Sequence, residues 1–302
     1  MFYNFYINRC LYKNYMKRNI ICFPHRLGQT KIGVEHGPAL MLAQLLHKYP
    51  NYQYNILPVD CNNNPSFFHT NINNLYKMNQ SLPLHESRIN LGGDHSMSIA
   101  TIAHSLNQNP NTKVVWVDAH ADINTLDSSK TGNKHGMPLS FLTGLDNRYK
   151  KYSFIKNLLH FKNLFYVGLR DMDEFEKKIL YKYKIPYITS DELNNDAPEA
   201  IYKIQQFVRV QYPVHLSLDV DVIDPNIFPH TGTISKNGAN IYPLKTLLTY
   251  LLSCHNIYNI DIAEFNPFIN DECSKGKLVD NVNTILSLLE PLFLKEYGKY
   301  LG

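Results

Sequence analysis

Lys113-Val114-Val115-Trp116-Val117-Asp118-Ala119-His120-Ala121-Asp122 sets an apolar run against an alternation of acids around an imidazole. After the lysine, the run is β-branched or aromatic with no polar interruption. Such continuous runs mark strands covered on both faces, as in parallel sheets. In extended backbone, residues i, i+2 and i+4 point to one side. Asp118, His120 and Asp122 are therefore expected to face one space, just past the carboxyl end of a buried strand. Open parallel sheets bind their ligands at that edge.

Two further runs end in the same chemistry. Val214–Leu218 leads into Asp219-Val220-Asp221 and closes at Asp224-Pro225, while Arg88–Leu91 leads into Gly92-Gly93-Asp94-His95-Ser96. The two glycines permit a tight turn that brings His95 to the shared edge. One aspartate at a strand end is usually a turn or a cap, and one histidine is usually a surface or satisfied core residue. Three strand ends together give four carboxylates (Asp118, Asp122, Asp219, Asp221) and two imidazoles (His95, His120). Gathered without a cation, they would repel and shift one another's pKa values. Carboxylate and imidazole donors with no thiolate suit Mn²⁺, and Fe²⁺, Co²⁺ or Zn²⁺ are compatible. Six ligands, some of them shared, suit two ions about 3.5–4 Å apart.

Strand-like runs recur at Asn19–Phe23, Tyr54–Val59, Leu164–Val167 and Asn259–Ile262. Between the runs lie helical patterns: Gly37–His47, Ser96–Leu106, Glu199–Val210 and Leu244–Ser253. Strand alternating with helix predicts an α/β fold on a parallel sheet. No Pro/Gly/Ser linker divides the chain, so one domain over 19–302 is expected, behind a leader at 1–18.

The charge balance excludes some functions. A net charge of +4 over 302 residues, with no Lys/Arg block, gives no concentrated basic face for nucleic acid. No apolar run reaches the roughly 18–20 residues of a membrane span. Five cysteines (Cys10, Cys22, Cys61, Cys254, Cys273), an odd number with no C-x-x-C pair, fit a reduced intracellular protein. Cytoplasm is the expected compartment. Glu35 is the first acid, after Arg9, Lys13, Lys17, Arg18, Arg26 and Lys31, which leaves mitochondrial import as the alternative.

The blocks at Gly92–Ser96, Asp118–Asp122 and Ser217–Pro225 together resemble the arginase/agmatinase (ureohydrolase) family, from about Asn19 to about Leu289. The resemblance implies a three-layer α/β/α fold around a mostly parallel eight-stranded sheet. It implies two manganese ions per chain. One is held by His95, Asp118, Asp122 and Asp219, the other by Asp118, His120, Asp219 and Asp221. It further implies homo-oligomers, trimers or hexamers, and hydrolysis of a guanidino substrate by a hydroxide bridging the ions.

Within the family, Trp116–Thr125, Gly132–Pro138 and Gly168–Asp173 are similar to the arginase versions, which implies L-arginine as substrate and L-ornithine and urea as products. An agmatinase, a guanidino-acid hydrolase or a catalytically silent relative are the alternatives. By resemblance, Asn124, Thr131 and Asn133 contact the α-carboxylate, and Asp171 and Asp173 lie toward the α-amino group. Thr233 lies near the guanidinium, Glu264 grips it, His135 shuttles protons, and Asp122 passes a proton to the leaving amine. Plainer roles suit some of these: Thr131 and Asn133 are common loop residues, and Asp171 or Asp173 could cap a helix near Glu174. The chain departs from the family at Thr131, where serine is usual. It departs again after Thr233, where Ile234–Asn240 lacks the usual proline and Gly-Gly pair; a looser loop is expected there. Lys134 is expected to add charge near the mouth.

Overall fold

The computed structural model describes residues 18–50, 53–58, 64, 66–84, 86–209, 211–254, 256–269 and 278–297. Eight strands form one sheet: β1 (Arg18–Phe23), β2 (Gln53–Ile56), β3 (Ser87–Gly92), β4 (Lys113–Val117), β5 (Leu164–Leu169), β6 (Tyr187–Thr189), β7 (Pro213–Asp219) and β8 (Asn256–Ala263). Their order is β2-β1-β3-β8-β7-β4-β5-β6, and every pairing is parallel. The last two strands are thus inserted between the third and fourth. This sets the carboxyl ends of β3, β8, β7 and β4 side by side.

Helices cover both faces, because alternate residues of each strand serve different cores. In β4, Val115 and Val117 join one core and Val114 and Trp116 the other. The first core packs under α1 (Gly37–Lys48), α6 (Ser190–Asn195), α7 (Ala197–Phe207), α8 (Ile241–Cys254), α9 (Leu278–Leu288) and α10 (Glu290–Tyr297). The second packs under α2 (Phe67–Ser81), α3 (Ser98–Gln108), α4 (Pro138–Thr143) and α5 (Glu174–Tyr183). The result is the expected three-layer α/β/α arrangement.

Helix α1 follows its apolar stripe, burying Met41, Leu42 and Leu45 behind Pro38 in the first turn. Strand β6 escapes sequence reading, since three residues after Pro186 show no period. Helix α2 escapes it for another reason. Its core-facing stripe includes Asn71 and Asn79, bonded to His25 Nδ1 and to Leu75 O and Asn90. The asparagines dilute the apolar pattern that marks a buried helix face.

Among the described residues no helix is long and apolar enough to cross a membrane. Arg18 already belongs to β1, and the rest of the expected leader, 1–17, lies outside the described residues. Cys22 is buried and free, its thiol pushed up to about 11 by burial. Cys10, Cys61 and Cys273 lie outside the described residues, as does the end of the expected domain, 298–302.

Candidate metal centre

Three of the four adjacent strand ends, those of β3, β7 and β4, deliver the six expected ligands to one space. His95 Nδ1 lies 3.1 Å from Asp118 Oδ2, 3.3 Å from Asp219 Oδ2 and 3.5 Å from Asp122 Oδ2. His120 Nδ1 lies 2.9 Å from Asp221 Oδ2 and 3.5 Å from Asp118 Oδ1. Asp118 therefore turns one oxygen to each imidazole and belongs to both groups. In each of two triads, His95–Asp118–Asp122 and Asp118–His120–Asp221, the ligand atoms lie within 4.8 Å of one another.

Strand alternation is only part of how they get there. β4 ends at Val117, and Asp122 returns through a left-handed backbone, φ 48°. After Asp219, the last residue of β7, Val220–Val222 form a 3₁₀ turn. Asp219 Oδ1 accepts the Asp221 N–H at 2.7 Å and so brings the second acid round. Gly92 and Gly93 serve close approach rather than a left-handed turn. A Cβ on Gly93 would lie 1.8 Å from His25 O. Left-handed backbone at a non-glycine costs on the order of 1–3 kcal/mol. Asp122 and Glu264 (φ 66°) both adopt it, locked by Leu139 N–H to Asp122 O and Glu264 N–H to Gly93 O.

The electrostatics are those of a site made for cations. Burial pushes the Asp122, Asp219 and Asp221 carboxyls upward, and neighbouring carboxylates add to it: Asp118 for Asp122 and Asp221, Asp221 and then Asp118 for Asp219. Burial would lower His95, but its Asp118 contact and the charges of Asp118, Asp122 and Glu264 raise it to about 9. His120 is likewise raised against burial, first by the Asp221 charge. Protons thus do what divalent cations do in such a cluster: they offset buried negative charge. His95 Nδ1 is fully buried without hydrogen-bond geometry to any partner, aimed at three carboxylates. That is the orphaned lone pair a metal would fill, so the donor set fits a metal.

Around this centre the structure sorts the other expected residues. Glu264 is buried beside it and accepts from the His95 N–H (2.9 Å), His135 Nδ1 (3.0 Å) and Gln29 Nε2 (2.7 Å). Asp173 caps α5, with Oδ1 accepting from Phe175 and Glu176 N–H, so the capping role is real; its Oδ2 holds Asn124 Nδ2 at 2.8 Å. Asn124 Oδ1 accepts from Ser128 Oγ. Asp171 is exposed, with Oδ2 3.6 Å from His120 Nε2. Thr131 is exposed and accepts the Asn133 N–H, while Asn133 and Thr233 are half-buried. The Lys134 ammonium sits over the Phe68 ring at 4.2 Å.

The loop expected to be loose is braced. Arg170 donates to the Ser235 and Lys236 carbonyls and to Asp221 O, Asp224 Oδ2 takes the Gly238 N–H, and Asn194 bonds both Gly238 and Asn240. Sequence reading missed Gln29, whose only signal is its place after the carboxyl end of β1. It also missed the role of Trp116, which stacks on His95 at 4.0 Å and donates Nε1–H to Asp118 Oδ2.

Fold and centre define an α/β protein that gathers carboxylates and imidazoles able to hold metal at the carboxyl edge of its sheet. Residues 17–280 match the model of the arginase family. An arginase of Plasmodium berghei (strain Anka) is 36% identical over 234 residues, 71% of this chain and 65% of that one. The mitochondrial arginase-2 of Oryctolagus cuniculus is 32% identical over 295 residues, 89% of this chain and 83% of the relative. The crystal structure of Entamoeba histolytica arginase in complex with L-ornithine superposes with a TM-score of 0.81 at 27% identity, covering 93% of this chain and 99% of that one. The matched part spans under two thirds of the Plasmodium arginases, 65% of the berghei and 46% of the falciparum protein. This chain belongs to the arginase family. A proclavaminate amidino hydrolase of Streptomyces clavuligerus has the same fold (TM-score 0.73, 20% identity), so fold alone does not select the substrate.

Proposed function

We propose that the chain is a manganese-dependent arginase, hydrolysing L-arginine to L-ornithine and urea. The observation that carries this reading is Asp118, which offers its two oxygens to two separate imidazole-bearing groups in one buried space. His95, Asp118, Asp122 and Asp219 would hold one ion and Asp118, His120, Asp219 and Asp221 the other. Two such cations make hydroxide available near neutral pH. Glu264 would grip the guanidinium, with Thr233 beside it. Asp122, whose carboxyl burial and Asp118 push upward, suits accepting a proton and handing it to the leaving amine. His135, held through Nδ1, keeps Nε2 for exchange with water. Selectivity for arginine over agmatine is assigned to Asn124, Thr131 and Asn133 as donors to the α-carboxylate. Asp171 and Asp173 would lie toward the α-amino group, Asp173 by orienting Asn124.

The test is urea release by Mn²⁺-loaded protein from L-arginine and from agmatine, with His120→Ala as control. Turnover of arginine lost in the control is expected. Turnover of agmatine alone would move the reading to another ureohydrolase and overturn the roles given to Asn124, Thr131 and Asn133.

Proton linkage gives a second test. The pKa of His95, about 9, lies above the roughly 6.5 of a free imidazole. Its proton therefore stabilises the metal-free fold fully below about pH 6.5, and that stability fades as pH rises through about 9. Metal must displace the same proton, so affinity rises over the same window. In chelator, Tm is expected to fall by a few degrees from pH 6.5 to 9, and Mn²⁺ to raise Tm more at pH 9 than at pH 6.5. A Mn²⁺ effect that shrinks with rising pH would contradict the shared proton–metal site.

A further inference from the structure

We infer that Asp261 is a positioning residue, which fixes His95 for its metal ion through Ser217 and Ser98; the inference rests on the metal-hydrolase reading above. The central strands have two unlike faces. One carries Ile89, Leu91, Leu216, Leu218, Ile260 and Ile262, all apolar and buried. The other, toward α3, carries Asn90, His215, Ser217, Asn259 and Asp261, equally buried. α3 answers with Ser98, Thr101 and Ser105. A core built for stability alone would be apolar on both sides, because a buried carboxylate is tolerated only when its oxygens are hydrogen-bonded.

Asp261 is so bonded. Oδ1 accepts from Asn90 Nδ2 at 2.9 Å, while Oδ2 takes Thr101 Oγ1 at 2.6 Å, His215 Nε2 at 2.9 Å and Ser98 Oγ at 3.0 Å, with Ser217 Oγ at 3.5 Å. His215 Nδ1 faces Ser105 Oγ at 2.8 Å, and Ser105 Oγ also accepts from Asn259 Nδ2. The near end of the network is His95, whose Nε2 lies 2.9 Å from Ser217 Oγ. Ser217 Oγ in turn lies 3.0 Å from Ser98 Oγ.

Counting hydrogens gives the network a direction. An ionised carboxylate only accepts. Ser98 therefore gives its proton to Asp261 and accepts from Ser217. Ser217, its own proton spent, accepts from His95 Nε2–H. The proton of a neutral His95 is thus fixed on Nε2, and the Nδ1 lone pair is left facing Asp118, Asp122 and Asp219. Trp116 holds the ring plane, stacked at 12°. Partners behind a metal-binding histidine set its tautomer and orientation, and removing them typically weakens metal binding about 10–100-fold.

The test is Mn²⁺ titration of the full chain, followed by electron paramagnetic resonance, for wild type, Asp261→Asn and Ser217→Ala. Wild type is expected to give the spectrum of a coupled pair. Both variants are expected to bind the ion at His95 about 10–100-fold more weakly. At low Mn²⁺ they should show the uncoupled six-line signal of one ion held by Asp118, His120, Asp219 and Asp221. Asparagine at 261 sets an amide donor against donors on one side, Asn90 at Oδ1 or Thr101, His215 and Ser98 at Oδ2, and removes the charge that fixes the direction of the chain. A purely structural role would lower the metal-free Tm and leave both affinities at wild-type values, which overturns the inference. Should Asp261→Asn not fold, Ser98→Ala breaks the same link, and wild-type metal binding in it and in Ser217→Ala also overturns the inference. Weakening in Ser217→Ala with none in Asp261→Asn overturns the role of Asp261. A wild type that takes up no Mn²⁺ overturns the metal-hydrolase reading itself, a result distinct from the others.

Discussion

Asp118→Asn is expected to leave the protein folded and to lower urea release from arginine by more than about 10³-fold, the scale set by losing electrostatic stabilisation at a reacting centre. The residue is fully buried between the two imidazole groups, with Oδ2 toward His95 and Oδ1 toward His120. Asparagine keeps the shape and one oxygen, so one ion can still be bound, but the carboxylate common to both groups is gone. The side-chain NH₂ then faces one imidazole nitrogen whose lone pair is needed. Oδ2 also accepts from Trp116 Nε1 and Oδ1 from the His120 N–H, so an asparagine rotamer satisfies only one of these donors. A buried donor left unpaired costs about 1–3 kcal/mol, tolerable in a chain of this size. The measurement is Mn²⁺ content together with initial rate. Two tightly bound ions and activity within tenfold of wild type would show that Asp118 does not join the two groups.

The six candidate ligands were legible because their identity and their strand are local facts. A continuous apolar run locates a buried parallel strand, and the residues just past its carboxyl end fall at the ligand-binding edge. The route by which each side chain arrives was less legible. Period-two alternation accounts for neither Asp122, which needs a left-handed backbone, nor Asp221, which needs a 3₁₀ turn capped by Asp219. The first depends on a contact distant in sequence, Leu139 N–H to Asp122 O, and the second on a side-chain cap that alternation does not register. The strand order was not legible from the residues either. Inserting β7 and β8 between β3 and β4 sets Asp219 and Glu264 beside His95, and nothing in the spacing of 95, 219 and 264 states this. Gln29 and Asp261 stayed hidden for the same reason, since their partners lie 235 and up to 171 residues away. Asp173 shows that two roles can share one side chain: one oxygen caps α5 and the other accepts from Asn124 Nδ2.

Glu264→Gln is expected to retain both ions yet lose about 10³-fold in kcat/KM for arginine, because in the proposed function the residue meets substrate rather than metal. Its carboxylate has about four lone-pair positions. In the substrate-free protein three are taken: Oε1 by the His95 N–H and His135 Nδ1, Oε2 by Gln29. A guanidinium bound through two parallel N–H groups needs one position on each oxygen. Oε2 can supply one at once, but Oε1 can do so only if His135 swings away. On the proposed reading, substrate entry would compete with the His135–Glu264 bond and free the imidazole at the moment a proton must be moved. Burial would lower the His135 pKa, and Glu264, by charge and then by hydrogen bond, raises it. With glutamine the charge is lost, so the His135 pKa falls. Any pH-rate limb due to His135 should then move to lower pH in Glu264→Gln. The checks are metal content, kcat/KM across the neutral and alkaline range, and the imidazole titration of His135 by NMR. Loss of an ion in Glu264→Gln would place Glu264 among the metal ligands. Unchanged kcat/KM would remove it from substrate recognition and leave the guanidinium to be held by other groups of the site.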